Sequence, residues 1–166
     1  MNGNIPLLQK ISLFEDFREN PQVLKKIDAL FTERKVKKGQ IIFREGHEGA
    51  ELYIIKKGRV RILKTTLQNE PYTVVLLSAE ENAFFGEMGL LLNDRRSATV
   101  AAEENSVFLF TTRRKFIEFG EREPYAALLV TRRIAQILAR RLQKMNEDVV
   151  TLFSALVNEI DSERVV

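Results

Sequence analysis

The spacing of hydrophobic and polar positions changes twice along the chain. The first part contains Asn20-Pro21, a pair typical of a helix cap followed by the first helical turn. The pattern after this pair predicts an N-terminal helical segment, which we place within residues 1–35. The apolar positions at helical spacing are Val23, Leu24, Ile27, Leu30 and Phe31.

Short runs of β-branched and aromatic residues replace this pattern between residues 36 and 122. Glycine, asparagine and charged residues separate the runs, as they do at the turns of a sheet. The spacing predicts an antiparallel β-roll in which the polar interval from Thr65 to Pro71 is an exposed hairpin tip. The runs are Ile41–Phe43, Leu52–Ile55, Val60–Leu63, Thr73–Leu77 and Val107–Phe110.

The helical period returns after Pro124. Apolar residues now recur in alternating steps of four and three, which is typical of a coiled-coil seam. We therefore expect residues 123–166 to form a C-terminal helix that pairs with a second copy in a parallel homodimer; the alternative is that this face packs on the chain's own roll. The expected fold is α+β, mainly β, in one domain. The seam positions are Leu138, Leu142, Met145, Val149, Leu152 and Leu156, with Ile160 one turn further on.

A glycine, a carboxylate and an arginine follow one another within a short stretch of the roll. Gly86 has no side chain, so the main chain can lie against a ligand oxygen, and residues 88–91 can form a helical turn whose N–H groups favour an anion. Arg96 offers a planar fork of donors for phosphate oxygens, and the Ser97 hydroxyl adds another donor. Glu87 would repel a phosphate but can accept hydrogen bonds from sugar hydroxyls. These residues predict a nucleotide ligand.

Two motifs in this part of the chain resemble those of a known family. Phe85-Gly86-Glu87-x-x-Leu90, followed by Arg96-Ser97-Ala98-Thr99, resembles the phosphate-binding cassette of the cyclic nucleotide-binding domain, which occurs in catabolite-activator-type regulators. Upstream, Ile42-Phe43-x-Glu45-Gly46-x-x-Gly49-x-x-Leu52-Tyr53-Ile54-Ile55-x-x-Gly58-x-Val60 resembles the first β-roll signature of that family. Two motifs in the right order are more specific than one.

The resemblance implies a role for each matching residue. Arg96 would bind the exocyclic oxygens of a cyclic phosphate, and Glu87 would bind the ribose 2′-hydroxyl. Ser97, with the region of Gly86 and Met88, would contact the remaining phosphate and sugar oxygens. The C-terminal helix would cover the base, with Asn146 as its polar contact. The implied ligand is cyclic AMP or cyclic GMP, and the implied fold is the jelly-roll β-roll of this family.

The chain departs from the family pattern at two positions. Asn82 stands where a glycine usually precedes the cassette strand, and asparagine tolerates left-handed backbone better than most residues. His47 replaces the usual acidic residue after the first signature glycine, and we expect it to be an exposed turn residue. A structural alternative also exists for the cassette, in which Glu87 and Arg96 form an ion pair with each other.

Composition narrows the function classes. The chain has 166 residues and is 45% hydrophobic, which is enough for one buried core and short for two. It has no cysteine and one histidine, so thiolate metal sites and cysteine nucleophiles are excluded and no metal is expected. A net charge of +3 is too small to indicate nucleic-acid binding. Because the start lacks a signal segment and no apolar run reaches the length of a membrane span, we expect a cytoplasmic protein without membrane contact.

The expected function is a non-enzymatic sensor that binds a cyclic nucleotide and signals through rearrangement of its C-terminal helix. The sequence shows neither a nucleophile with a matching base nor a pair of carboxylates suited to acid and base catalysis, so we do not expect an enzyme. Family members that regulate transcription carry a helix-turn-helix domain after the long helix, whereas this chain ends at Val166. We therefore expect no direct DNA binding, and either a protein partner that receives the signal or a chain that is one domain of a longer protein. The alternative is an interaction or dimerisation module of the same fold that binds no cyclic nucleotide.

Overall fold

The computed structural model describes residues 3–66, 68, 70–92 and 94–163, with side chains described up to residue 160. Within these residues, helices flank eight strands; the sequence predicts the order of helix, roll and helix, and five of the eight strands. The elements in chain order are α1 (Ile5–Leu8), a 3₁₀ segment (Ser12–Phe17), α2 (Pro21–Asp28), β1 (Thr32–Val36), β2 (Ile41–Phe43), β3 (Glu51–Lys57), β4 (Arg59–Thr65), β5 (Pro71–Ser78), β6 (Phe84–Phe85), α3 (Met88–Leu91), β7 (Thr99–Ala102), β8 (Ser106–Thr112), α4 (Arg113–Arg122) and α5 (Pro124–Glu163).

The strands form two four-stranded antiparallel sheets. One sheet has the order β1-β8-β3-β6 and the other has the order β2-β7-β4-β5. Both sheets contribute buried side chains to one hydrophobic core, which identifies the architecture as the predicted β-roll. The buried core residues are Val36, Ile42, Tyr53, Ile55, Val60, Phe85, Val100, Ala102 and Phe108.

Strands β4 and β5 form the predicted hairpin. They pair antiparallel from Arg59 opposite Ser78 to Thr65 opposite Pro71, and the N–H of Thr66 donates to the carbonyl of Glu70 at 2.9 Å. Positions 67 and 69 of the predicted tip lie outside the described residues. The structure therefore confirms the hairpin at both ends of its turn.

Strand β1 begins at Thr32, before the start that the sequence pattern gave for the roll. Its first four residues are exposed and only Val36 is buried, so the strand carries no run of apolar residues that would mark it. What holds it is pairing with β8, in register from Thr32 opposite Phe110 to Val36 opposite Ser106. The roll therefore includes an edge strand that hydrophobic patterning does not reveal.

The N-terminal helix is confirmed with its cap. The side chain of Asn20 accepts a hydrogen bond from the N–H of Val23 at 3.2 Å, and Pro21 occupies the first helical turn. Apolar side chains of the N-terminal elements, strand β3 and helices α3 and α4 line one small common cavity. The N-terminal segment is therefore packed against the same sheet that carries the cassette.

The chain divides into two compact units, Met1–Thr131 and Arg132–Val166. The first contains the roll, and the second consists of the later part of α5. Among the described helices, none combines the length and the apolar character that crossing a bilayer requires. The second unit exposes a row of large apolar side chains, which are Leu142, Met145, Val149, Val150, Leu152, Phe153, Leu156, Val157 and Ile160.

Candidate functional site

The cassette begins with a sharp turn directly after strand β6. Gly86 has φ +80°, a left-handed conformation that L side chains rarely adopt. A Cβ at this position would lie 2.6 Å from the carbonyl oxygen of Glu51 and 3.0 Å from Nη1 of Arg96. Only glycine therefore satisfies both the backbone angle and the close approach. The predicted helical turn follows as α3, Met88–Leu91.

Main-chain hydrogen bonds fasten the segment that carries Arg96 to the loop after β2. The N–H of Arg96 donates to the carbonyl of His47 at 2.8 Å, and the N–H of Gly46 donates to the carbonyl of Arg96 at 2.9 Å. The N–H of Glu45 donates to the Thr99 hydroxyl at 3.0 Å. These bonds bring the two sequence motifs together and fix the direction of the Arg96 side chain.

The guanidinium of Arg96 is buried, with 4% of its side chain exposed. Nη1 donates to the main-chain carbonyl of Glu51 at 2.9 Å, and Nη2 forms an ion pair with the Glu51 carboxylate. The Phe43 ring covers one face of the cation, with its centroid 4.1 Å from Cζ. Nε is buried and meets no acceptor among the described residues. Because an isolated buried charge is costly, the Glu51 contacts stabilise a cation that still has donor capacity left.

Three glycines surround this guanidinium. A Cβ at Gly49 would overlap Nε and Cζ of Arg96, and a Cβ at Gly89 would lie 3.1 Å from Nη1. Together with Gly86 these positions form a cradle without side chains around the cation, which we call the glycine cradle. Main-chain groups can therefore approach whatever the guanidinium binds.

Glu87 is also buried, with 4% exposure. It occupies the N-cap position of α3, and its side chain makes no capping hydrogen bond there. Glutamate is rarely buried to this extent unless it has a partner or a function. Because Glu87 directly follows Gly86, its buried carboxylate is attached to the main chain next to the glycine cradle.

The remaining predicted site residues are exposed. Ser97 follows the buried Arg96 at the surface, and Met88 is 39% exposed. Asn146 belongs to the second unit and is exposed on α5. Their roles toward a ligand stay predictions. His47 is exposed, as expected, and Asn82 has φ +52°, which confirms the left-handed turn before the cassette strand.

Two neighbouring groups have shifted titration. The Lys64 ammonium, which donates to Glu45 at 2.7 Å, holds the pKa of that carboxyl below its usual range. Burial raises the pKa of the Tyr53 phenol, whose ring stacks on Phe85 at 5.1 Å. No cluster of three or more metal-binding side chains occurs in the part of the chain that the structure describes.

Sequence reasoning gave no site role to three residues that touch Arg96. These are Phe43, Gly49 and Glu51, all within the first β-roll signature. Two features could have pointed to them. A buried arginine needs an acceptor, and a second glycine, Gly49, follows Gly46 after three positions. Neither signal identifies the partner, because Glu51 and Arg96 lie 45 positions apart in the sequence.

Comparisons with known proteins agree with this geometry. The family model of the cyclic nucleotide-binding domain matches residues 33–123, which is more than half of the chain. The cyclic AMP receptor protein of Thermus thermophilus is 36% identical over 114 residues, covering 69% of this chain and 50% of the relative. Human cGMP-dependent protein kinase 2 is 35% identical over 100 residues, covering 60% of this chain and 13% of the kinase.

A solved structure extends the similarity to three dimensions. The crystal structure of the catabolite activator protein of Thermus thermophilus has a TM-score of 0.75 and 31% identity, covering 85% of this chain and 62% of that one. The chain thus spans about half the length of the bacterial relative and a small part of the kinase. Sequence, family model and structure agree that this chain belongs to the cyclic nucleotide-binding domain family.

Proposed function

We propose that the chain is a sensor that binds cyclic AMP or cyclic GMP in the glycine cradle. The observation that carries the proposal is the buried guanidinium of Arg96, which keeps an unused Nε donor beside main chain that has no side chains in the way. Relatives are named for both ligands, the bacterial one for cyclic AMP and the human kinase for cGMP. The residues present therefore fit a cyclic phosphate.

Each residue in and around the glycine cradle has a distinct role in this proposal. Arg96 binds the exocyclic phosphate oxygens, because its planar donors match two oxygens at once. Glu87 accepts a hydrogen bond from the ribose 2′-hydroxyl. The main chain at Gly86 and Met88 and the Ser97 hydroxyl contact the remaining sugar and phosphate oxygens. Burial of Arg96 and Glu87 supports these roles, since both groups act with little competition from water.

Signal transmission depends on a second state of the protein. In the proposal, Asn146 contacts the base and α5 rearranges when the ligand binds. The nucleotide must bind the two arrangements with different affinity, because a ligand with equal affinity for both shifts nothing. The chain itself catalyses no reaction, and a protein partner reads the changed helix.

A second copy of the chain is the proposed partner of the exposed face of α5. The seam of alternating four- and three-residue steps is the pattern that another helix of the same kind complements. Its side chains are exposed, for example Val149 at 62% and Leu152 at 70%.

We expect a homodimer in sedimentation experiments at micromolar concentration. Leu152→Glu is expected to weaken it, whereas the control Ser154→Glu, away from the seam, leaves it intact; a wild-type protein that sediments only as a monomer contradicts the dimer.

Calorimetric titration with cyclic AMP, cyclic GMP and linear AMP tests the sensor directly. We expect one of the cyclic nucleotides to bind much more tightly than linear AMP, because linear AMP carries an additional charge and lacks the ring geometry. The ratio between the two cyclic nucleotides gives the base preference. If neither cyclic nucleotide gives a heat of binding, the chain is instead a module of this fold that assembles without a nucleotide.

A further inference from the structure

The Glu51 carboxylate lies on the same guanidinium that the proposed function assigns to phosphate. Glu51 contacts Arg96 twice, through its main-chain carbonyl on Nη1 and through its carboxylate on Nη2. Both terminal nitrogens of the fork are thereby engaged by one residue. A phosphate that binds two adjacent N–H donors of Arg96 would have to bind where the Glu51 carboxylate already lies.

The two Glu51 contacts differ in how easily they can be given up. The carbonyl belongs to strand β3, where Glu51 pairs with Thr112, so it is fixed by the sheet. The carboxylate belongs to a side chain that remains 35% exposed. If it leaves Nη2, water can solvate it, so release of the side chain costs far less than release of the main chain.

We infer that the Glu51 carboxylate is a built-in competitor that the cyclic phosphate displaces from Nη2 of Arg96. This inference rests on the proposed function. Two anions next to each other on one cation repel, so the carboxylate and the phosphate do not share Nη2. Glu51 therefore sets the affinity of the site: it stabilises the buried cation without ligand, and the nucleotide binds against that interaction.

Neutralising this side chain is expected to tighten nucleotide binding. Glu51→Gln keeps the size and the main-chain carbonyl but replaces a charge-assisted hydrogen bond with a weaker neutral one. We expect a gain in affinity of roughly five- to thirty-fold for the preferred cyclic nucleotide. A residue that merely positioned Arg96 would have the opposite effect, because its loss would loosen the guanidinium and weaken binding.

The experiment compares wild type, Glu51→Gln and the matched control Glu48→Gln by calorimetry with cyclic AMP and cyclic GMP, at one pH and one salt concentration. Glu48 is an exposed glutamate three residues before Glu51, in the loop that precedes β3, so its substitution removes the same charge from a surface side chain. Thermal melting of all three proteins verifies that they are folded. Tighter binding in Glu51→Gln, clearly exceeding any change in Glu48→Gln, supports the inference.

The other outcomes separate this inference from the proposed function. If the wild type binds the nucleotide and Glu51→Gln binds it equally or more weakly, Glu51 does not compete with the phosphate. The proposed sensor function is then unaffected. An equal gain in both variants also overturns the inference, since the effect then comes from net charge. Binding by Glu51→Gln alone supports it most strongly. If neither protein binds at millimolar nucleotide, the sensor and the competitor are both wrong.

Discussion

The ring of Phe43 covers the guanidinium of Arg96, with the ring centroid 4.1 Å from Cζ. A ring on the face of the cation leaves its edge uncovered, where Nη1 and Nη2 donate to Glu51 and where the glycine cradle lies. Phe43 is itself held by Phe85, whose ring centroid is 5.9 Å away. The aromatic core therefore holds in place the cation that we propose binds phosphate, and such preorganisation reduces the cost of binding.

Arg96→Ala removes the central cation. We expect nucleotide affinity to fall by about 2 to 4 kcal/mol, tens to several hundred fold, because a charge-assisted contact in a largely dry site is lost. The fold should persist, since the main-chain bonds from Arg96 to Gly46 and His47 do not need the side chain. Calorimetry measures the loss, and circular dichroism is the control. An affinity within two-fold of wild type would remove Arg96 from the site.

Glu87→Gln tests the sugar contact. The expected loss is smaller than for Arg96→Ala, because a neutral amide oxygen still accepts a hydrogen bond, though more weakly than a carboxylate. The loss should be larger for the ribose ligand than for its 2′-deoxy analogue, which has no hydroxyl to donate. Titrating both ligands into both proteins gives the comparison. Equal losses for the two ligands contradict the assigned role.

Gly49→Ala tests the close approach of main chain to guanidinium. A Cβ there overlaps Nε of Arg96, so the cation must shift away from Phe43 and Glu51. We expect at least a roughly ten-fold loss of affinity and a loss of about 1 to 3 kcal/mol in unfolding free energy. Gly120→Ala is the control, because its Cβ meets Ala127 at an ordinary 3.4 Å and helix propensity favours it. Equal behaviour of the two variants would mean that position 49 has room.

Tyr53 gives a pH dependence with a defined sign. Burial raises the pKa of its phenol above the usual value of about 10. The unfolded chain therefore loses this proton first as pH rises, and the stability that the neutral phenol contributes is lost from about pH 10 upward through the folded pKa. Thermal melts should show wild type losing stability relative to Tyr53→Phe above pH 10. A constant difference between the two proteins from pH 8 to 11 contradicts this.

Local chemistry explains what the sequence predicts well. The left-handed Asn82 follows from its backbone tolerance and is confirmed. The needs of a phosphorylated sugar and a family motif single out Gly86, Glu87 and Arg96, whose roles toward a ligand stay predictions. The central strands show continuous apolar runs because both of their faces are covered, as in β3, where Leu52 to Ile55 are all buried. These features are visible in consecutive residues of the sequence.

What the sequence does not predict depends on distant residues. Strand β1 forms through pairing with β8 although most of its residues are exposed and polar. The contact between Arg96 and Glu51 exists because main-chain bonds bring two loops together, and nothing in the sequence singles out Glu51 from Glu45 or Glu48. Tertiary pairing therefore decides which carboxylate meets the cation.

A crystal structure grown in saturating cyclic nucleotide is the most direct test of the central claim. We expect the cyclic phosphate within hydrogen-bond distance of the Arg96 guanidinium, about 3 Å, and the ribose 2′-hydroxyl on the Glu87 carboxylate. A nucleotide bound elsewhere, or a glycine cradle that holds only the protein's own Glu51 side chain under those conditions, would contradict it.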